Sequence, residues 1–269
     1  MPELPEVETI ARGLANTIVG KTIAGAEVTL PKVTAPHGRA LGRRLAGEVV
    51  AGVGRRGKYV LVTLSSGRRL VISLRMTGRL IVQPPPAEHY PYTNVVVNFT
   101  DGSRLLFADV RQFGRLRLVD GREPWDAELG AEPLSEEFTI AHLSGLLRGR
   151  TTPIKIFLLD QRRIAGIGNI YACEALWEAG IRPGTPARRI SPARVARLHA
   201  AIQRVLRKAI VMRGTSVDDY VDAEGMAGGF QNELAVYGRA GEPCVRCRRP
   251  LVRTVIGQRG TWWCRACQR

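Results

Sequence analysis

A chain of 269 residues, 45% of them hydrophobic, can bury one large core or two modest ones, which excludes a disordered tail. It holds no apolar run of about 18 residues, which argues against a transmembrane helix. Forty Lys and Arg against 24 Asp and Glu leave a net charge of +16, an excess that points to a polyanion, most often nucleic acid. Only Lys21, Lys32, Lys58, Lys155 and Lys208 are lysines; the other basic residues are Arg, which suits bidentate contacts to phosphate.

In chain order, Val7, Ile10, Leu14 and Ile18 recur at helical spacing and predict a helix over Pro5–Val19. From about Thr22 to Val119 the pattern turns to short β-rich runs at 47–53, 58–64, 69–74, 78–82, 94–99, 104–108 and 115–119, an antiparallel sandwich or barrel. Gln83–Pro91, with three successive prolines, reads as a loop, and Gly121–Pro133 as an acidic interdomain linker. Helices are expected at Phe138–Leu147, Pro153–Leu159 and Asn169–Ala179. A longer one opens at Ser191-Pro192, with Val195, Leu198, Ile202, Val205 and Ala209 on one face. The division expected is a β-rich domain at 1–125, a linker at 126–135, a helical domain at 136–235 and a small terminal module at 236–269. The first residues lack the basic-then-apolar order of a signal peptide, so the cytoplasm is the expected location.

Two clusters carry chemistry. Cys244-x-x-Cys247 and Cys264-x-x-Cys267, separated by 16 residues, offer four thiolates to one structural Zn²⁺ on a β-hairpin. The fifth cysteine, Cys173, reads as a small buried residue inside a helix. At the other end the chain begins MPELPEVET. Loss of Met1, usual before a small residue, would leave Pro2 with a free secondary amine beside Glu3. Such an amine can form an iminium with a sugar carbon while the carboxylate moves protons.

The start MPELPEVET, the segment GIGNIYACEALWEAGIRP at 166–183, YGRAGEPC at 237–244 and the terminal QRGTWWCRACQR together resemble the bacterial formamidopyrimidine-DNA glycosylase family over essentially the whole chain. The resemblance implies an N-terminal β-sandwich, a helix–two-turns–helix domain and a Cys₄ zinc finger. It implies a bifunctional glycosylase and lyase acting on double-stranded DNA that contains oxidised bases or abasic sites, as a monomer with one Zn²⁺ and no membrane partner. By the same resemblance Pro2 is the nucleophile, Glu3 the acid/base and Lys58 the catalytic lysine. Met76, Arg111 and Phe113 fill the gap left by an extruded nucleotide. Arg111 faces the orphaned base, while His89, Lys155, Asn169 and Arg259 contact DNA. Residues Ser216–Phe230 resemble a loop that closes over an extruded purine. The MPELPEVET start, rather than MPEGPE, favours oxidised purines over the pyrimidine preference of the sister endonuclease VIII-type enzymes. A zinc-finger protein without catalysis would have no need of Pro2, Glu3 and Lys58.

Overall fold

A computed structural model describes residues 1–86, 88–216 and 225–269, so most of the loop read at Ser216–Phe230 lies outside the described residues. The chain divides into two units, 1–127 with 212–229, and 128–211 with 230–269.

The first unit opens with helix α1 (Leu4–Ile18), one residue ahead of the sequence expectation. Its apolar stripe, Leu4, Val7, Ile10, Ala11, Leu14 and Ile18, is buried, so a Leu14→Ala truncation would cost about 2–5 kcal/mol. Strand β1 (Ile23–Val28) follows, then helix α2 (Leu41–Leu45). The hairpin strands are β2 (Val50–Arg56), β3 (Tyr59–Leu64), β4 (Arg69–Ser73), β5 (Gly78–Gln83), β6 (Thr93–Phe99), β7 (Arg104–Asp109) and β8 (Arg115–Val119). They form two four-stranded sheets, ordered β1-β6-β7-β5 and β2-β3-β4-β8, with every pairing antiparallel. Val60, Val62 and Leu64 of β3 and Val95, Val97 and Phe99 of β6 alternate inward and enter one core with the stripe of α1. Strand β1 has no counterpart in the sequence reading. Its stretch IAGAEV has only small residues between Ile23 and Glu27, and the register shifts between Ile23 and Gly25, so the period-two signal is absent. Gly42 lets α2 approach β1 closely, since a Cβ there would lie 2.1 Å from the Ala26 carbonyl oxygen.

The second unit holds α3 (Ile140–Leu147), α4 (Ile154–Leu159), α5 (Asn169–Glu178), α6 (Pro192–Val211) and the hairpin of β9 (Val252–Ile256) and β10 (Arg259–Trp263). Helix α3 starts two residues later than expected. Thr139 caps it by accepting from His142 N at 3.1 Å, and Phe138 is buried instead in the core. Gly180, at φ +68°, ends α5 in a Schellman motif, with Ile181 N donating to Leu176 O at 2.9 Å and Gly180 N to Trp177 O at 3.1 Å. The apolar face foreseen on α6 is buried in full. The expected linker is attached at both ends within its own units. Asp126 pairs with Arg56 at 3.0 Å in the first, and in the second Gly130 N donates to Gln161 O at 2.8 Å. Among the described residues no helix is long and apolar enough to cross a membrane.

Candidate functional site

Pro2 and Glu3 are buried at the head of α1, Glu3 only 3% exposed. Glu3 N donates to Glu6 Oε2 at 2.8 Å, and the Glu3 side chain accepts from Glu6 N, a reciprocal capping box. The second oxygen of Glu6, Oε1, accepts from Thr215 N at 2.7 Å, so one buried carboxylate joins the first turn of α1 to the returning segment 212–229. Gly214 is required beside it: φ is +82°, and a Cβ would stand 2.8 Å from Glu6 Oε1. The sequence reading missed Glu6. The Glu3–Glu6 spacing was the available signal, but the usual box has Ser or Thr at its first position.

Lys58 sits half-buried in the turn between β2 and β3, next to Gly57 at φ +56°. That turn is tied to α1 by Arg55, whose Nε meets Glu8 Oε2 at 3.0 Å and whose Nη1 donates to Gly57 O at 3.0 Å. Burial works against the charge on Glu8. Arg55 and Arg12 outweigh it and hold the carboxyl below its ordinary range. Met76 and Phe113, 43% and 49% exposed, stand on the turns after β4 and β7. The Arg111 guanidinium lies 4.9 Å from the centre of the Phe113 ring. Exposed apolar tips on two turns, one of them under a cation, suit insertion into a base stack. His89 is exposed in the connection before β6.

In the second unit Asn169 opens α5 and Arg259 opens β10. The two-residue tip Gly257-Gln258, both at positive φ, sets the hairpin so that Arg259 is exposed. The carbonyl of Gly260 receives Asn169 Nδ2 at 3.1 Å and Lys155 Nζ at 3.3 Å, which fixes the strand immediately behind Arg259. Lys155 is fully buried, and its ammonium also donates to Thr261 Oγ1 and Cys173 Sγ, each at 3.1 Å. An ammonium enclosed in this way does not face DNA. The expectation of a phosphate or lesion contact is therefore corrected: Lys155 anchors the hairpin that carries Arg259. Its counter-partner Cys173 is buried as foreseen, and burial pushes that thiol up.

The four cysteine sulfurs converge within 4.8 Å of one another. Cys244 and Cys267 are 3.9 Å apart, Cys247 and Cys264 3.4 Å. A tetrahedral Zn²⁺ with sulfur ligands at about 2.3 Å needs edges of about 3.8 Å, so the set fits one ion with no open position. Burial opposes ionisation of Cys244, but the backbone N–H groups of Cys247 and Arg246 bring that thiol down, whereas burial and the neighbouring thiols push Cys267 up. A divalent cation removes that conflict. Two further supports escaped sequence reading. Gln268, 1% exposed, accepts from Cys264 N at 2.8 Å and donates to Ile181 O at 2.9 Å. Glu174, 3% exposed, receives the N–H groups of Ala235, Val236 and Tyr237 at 2.8, 3.0 and 2.8 Å.

Family models match along the chain: the formamidopyrimidine-DNA glycosylase N-terminal domain over residues 1–116, the H2TH domain of the same proteins over 129–221, and a zinc finger found in FPG and IleRS over 241–269. The formamidopyrimidine-DNA glycosylase of Chloroflexus aggregans is 46% identical over 271 residues, spanning 100% of this chain and 98% of that protein. Its namesake in Moorella thermoacetica is 50% identical over 258 residues, with 94% of each chain covered. Among solved structures, a Lactococcus lactis FPG mutant bound to DNA containing Fapy-dG superposes with a TM-score of 0.94 at 36% identity over the whole of both chains. The wild-type Lactococcus lactis protein with an oxidised pyrimidine in DNA superposes at 0.93, again at 36% identity over the whole of both chains.

Proposed function

The chain belongs to the formamidopyrimidine-DNA glycosylase family, and from that premise we propose how its own residues share the work of removing an oxidised base from duplex DNA. The substrate is an oxidised purine, 8-oxoguanine or a formamidopyrimidine, or the abasic site left behind. With Met1 removed, the Pro2 nitrogen attacks C1′ of the extruded nucleotide. The C1′–N bond breaks, the base leaves with a proton, and the sugar ring opens to an iminium on the proline. Loss of a C2′ proton then expels the 3′ phosphate, and a second elimination expels the 5′ phosphate. Glu3 and Lys58 move the protons in these steps. Met76, Arg111 and Phe113 occupy the vacated stack. Asn169, at the head of α5, and Arg259 hold phosphates, the helix N-terminus lending its unpaired N–H groups. One Zn²⁺ on Cys244, Cys247, Cys264 and Cys267 keeps the hairpin rigid. The protein works as a monomer in the cytoplasm.

The burial of Pro2 and Glu3 in the Glu6 box carries this reading. The two carboxylates fix the head of α1, and with it the position of the Pro2 nitrogen beside Glu3. A wider substrate range has its own support, since the Lactococcus lactis relative was solved with an oxidised pyrimidine in its DNA. Borohydride added during turnover of a duplex with one 8-oxoguanine should link DNA to Pro2, and a variant retaining Met1 should not be trapped. An adduct mapped to Lys58 would overturn the assignment of the nucleophile. Rates on 8-oxoguanine and thymine glycol duplexes compare the two base classes.

A further inference from the structure

We propose that Asp109 is a positioning residue that clamps the turns bearing Met76, Arg111 and Phe113 into one wedge. This rests on the reading of those three side chains as the gap-filling set. Asp109 ends β7, directly opposite Gly78 of β5, and is 1% exposed. Its Oδ1 accepts from Thr77 Oγ1 at 2.5 Å and from Arg111 N at 3.2 Å. Its Oδ2 accepts from Gly114 N at 2.8 Å. One carboxylate therefore reaches the residue after Met76 and both ends of the Arg111–Phe113 stretch. The Asp109 main chain is pinned in turn, its N–H donating to Tyr92 O at 3.0 Å and its carbonyl accepting from Asn94 Nδ2 at 3.1 Å.

The turns themselves need holding. Arg75 and Gln112 sit at φ 54° and 56°, backbone that non-glycine residues adopt at a cost, and each neighbours a wedge residue. Three exposed side chains contribute no core packing to offset that cost. Gly114 has no room for a side chain where it meets the clamp: a Cβ would stand 2.4 Å from Phe107 Cζ, 3.0 Å from the Ser73 carbonyl oxygen and 3.2 Å from Asp109 Oδ2, and the shift needed would move its N–H off the carboxylate. Gly78 is constrained likewise, since a Cβ there would lie 2.5 Å from the Leu74 carbonyl oxygen, which closes the first turn. Two strained turns sharing one buried acceptor have a fixed mutual placement. A wedge that must enter the stack as the nucleotide leaves needs that placement before DNA arrives.

Asp109→Asn keeps the shape but faces at least one donor with an NH₂ group. Excision of 8-oxoguanine from duplex DNA in single turnover should slow by about tenfold or more, the effect of leaving buried donors unpaired. Cleavage of an abasic site in a single-stranded oligonucleotide, where no stack is left to fill, should proceed at the wild-type rate. Thr77→Val, which removes one of the three donors, should give a smaller loss on the duplex, and Thr77→Ser should restore it. Wild-type excision by Asp109→Asn would overturn the clamp, and so would an equal loss on the single strand, which would make Asp109 a general fold residue. Arg111→Ala is the control for the underlying reading. If it excises normally, the wedge assignment fails and the clamp with it. If it is impaired while Asp109→Asn is not, only the clamp fails.

Discussion

Glu174→Gln tests whether the second unit depends on one buried carboxylate. Glu174 lies in α5, and its Oε1 takes the N–H groups of Val236 and Tyr237 while Oε2 takes that of Ala235. Burial pushes this carboxyl up, and the three backbone donors pull it back. Three N–H groups converging on one carboxyl favour its ionised form against burial. Glutamine preserves the volume and one acceptor, so two bonds survive in weaker, uncharged form. Its NH₂ confronts the third donor, leaving a buried N–H and a buried NH₂ unpaired. Replacing charge-assisted by neutral bonds and orphaning one donor sums to about 2–4 kcal/mol. The segment released leads directly into Cys244, so the loss should appear in the zinc-bearing unit. Urea unfolding of the zinc-loaded protein, followed by fluorescence of Trp177, Trp262 and Trp263, should show a lower midpoint, with faster transfer of zinc to a chromogenic chelator. A change below about 0.5 kcal/mol would mean that Glu174 is already neutral in the native state, and the charge-assisted clasp would be refuted.

Other outcomes follow from the same geometry. Arg259→Ala should weaken binding to damaged and undamaged duplex alike and lower the salt slope by roughly 0.9 per lost phosphate contact, measured by binding isotherms across a salt series. Cys247→Ser should reduce bound zinc below one per chain by elemental analysis and weaken DNA binding, while circular dichroism of the β-rich unit is retained. Glu48 accepts from Ser65 Oγ, Ser66 N and Arg68 Nη2 at 2.7, 3.0 and 2.5 Å. Burial opposes its charge, but these donors bring the carboxyl from 4.5 down to about 2. A depressed carboxyl stabilises the fold fully above its unfolded value and loses that contribution as pH falls toward 2. The stability gap between wild type and Glu48→Gln should therefore narrow as pH is lowered from about 5 to about 2.5 in urea titrations.

The parts of the fold visible in the sequence were those with a strong local period or a covalent spacing. Helix α1 was visible through Val7, Ile10, Leu14 and Ile18, β3 through its alternation, the metal centre through two Cys-x-x-Cys pairs. Strand β1 was not, because Gly25 and Ala26 sit where large side chains would mark a face, and its place comes from pairing with the distant β6. The candidate site divides along the same line. The cysteines were readable as a metal centre, and Pro2 and Glu3 as an amine beside a carboxylate, from adjacent residues alone. Glu6, Asp109, Glu174 and Gln268 read as ordinary polar residues, since what distinguishes them is the set of distant backbone N–H groups they receive. Lys155 shows the converse: the family resemblance implied a DNA contact, and only tertiary packing against Thr261 and Gly260 reveals an internal anchor.

The return of residues 212–229 to the first unit has a consequence for synthesis. One partner of Glu6, Thr215 N, is made only after the whole of 128–211 has been synthesised. At about 5–20 residues per second that interval is on the order of ten seconds. During it the first turn of α1 lacks the Thr215 N–H that Glu6 Oε1 accepts in the finished fold, so the β-rich unit can collapse before its amino-terminal end is fully bonded. A nascent chain cut off before residue 212 would lack the Thr215 N–H bond to Glu6, so the amino terminus reaches its final bonding only after most of the chain has been made.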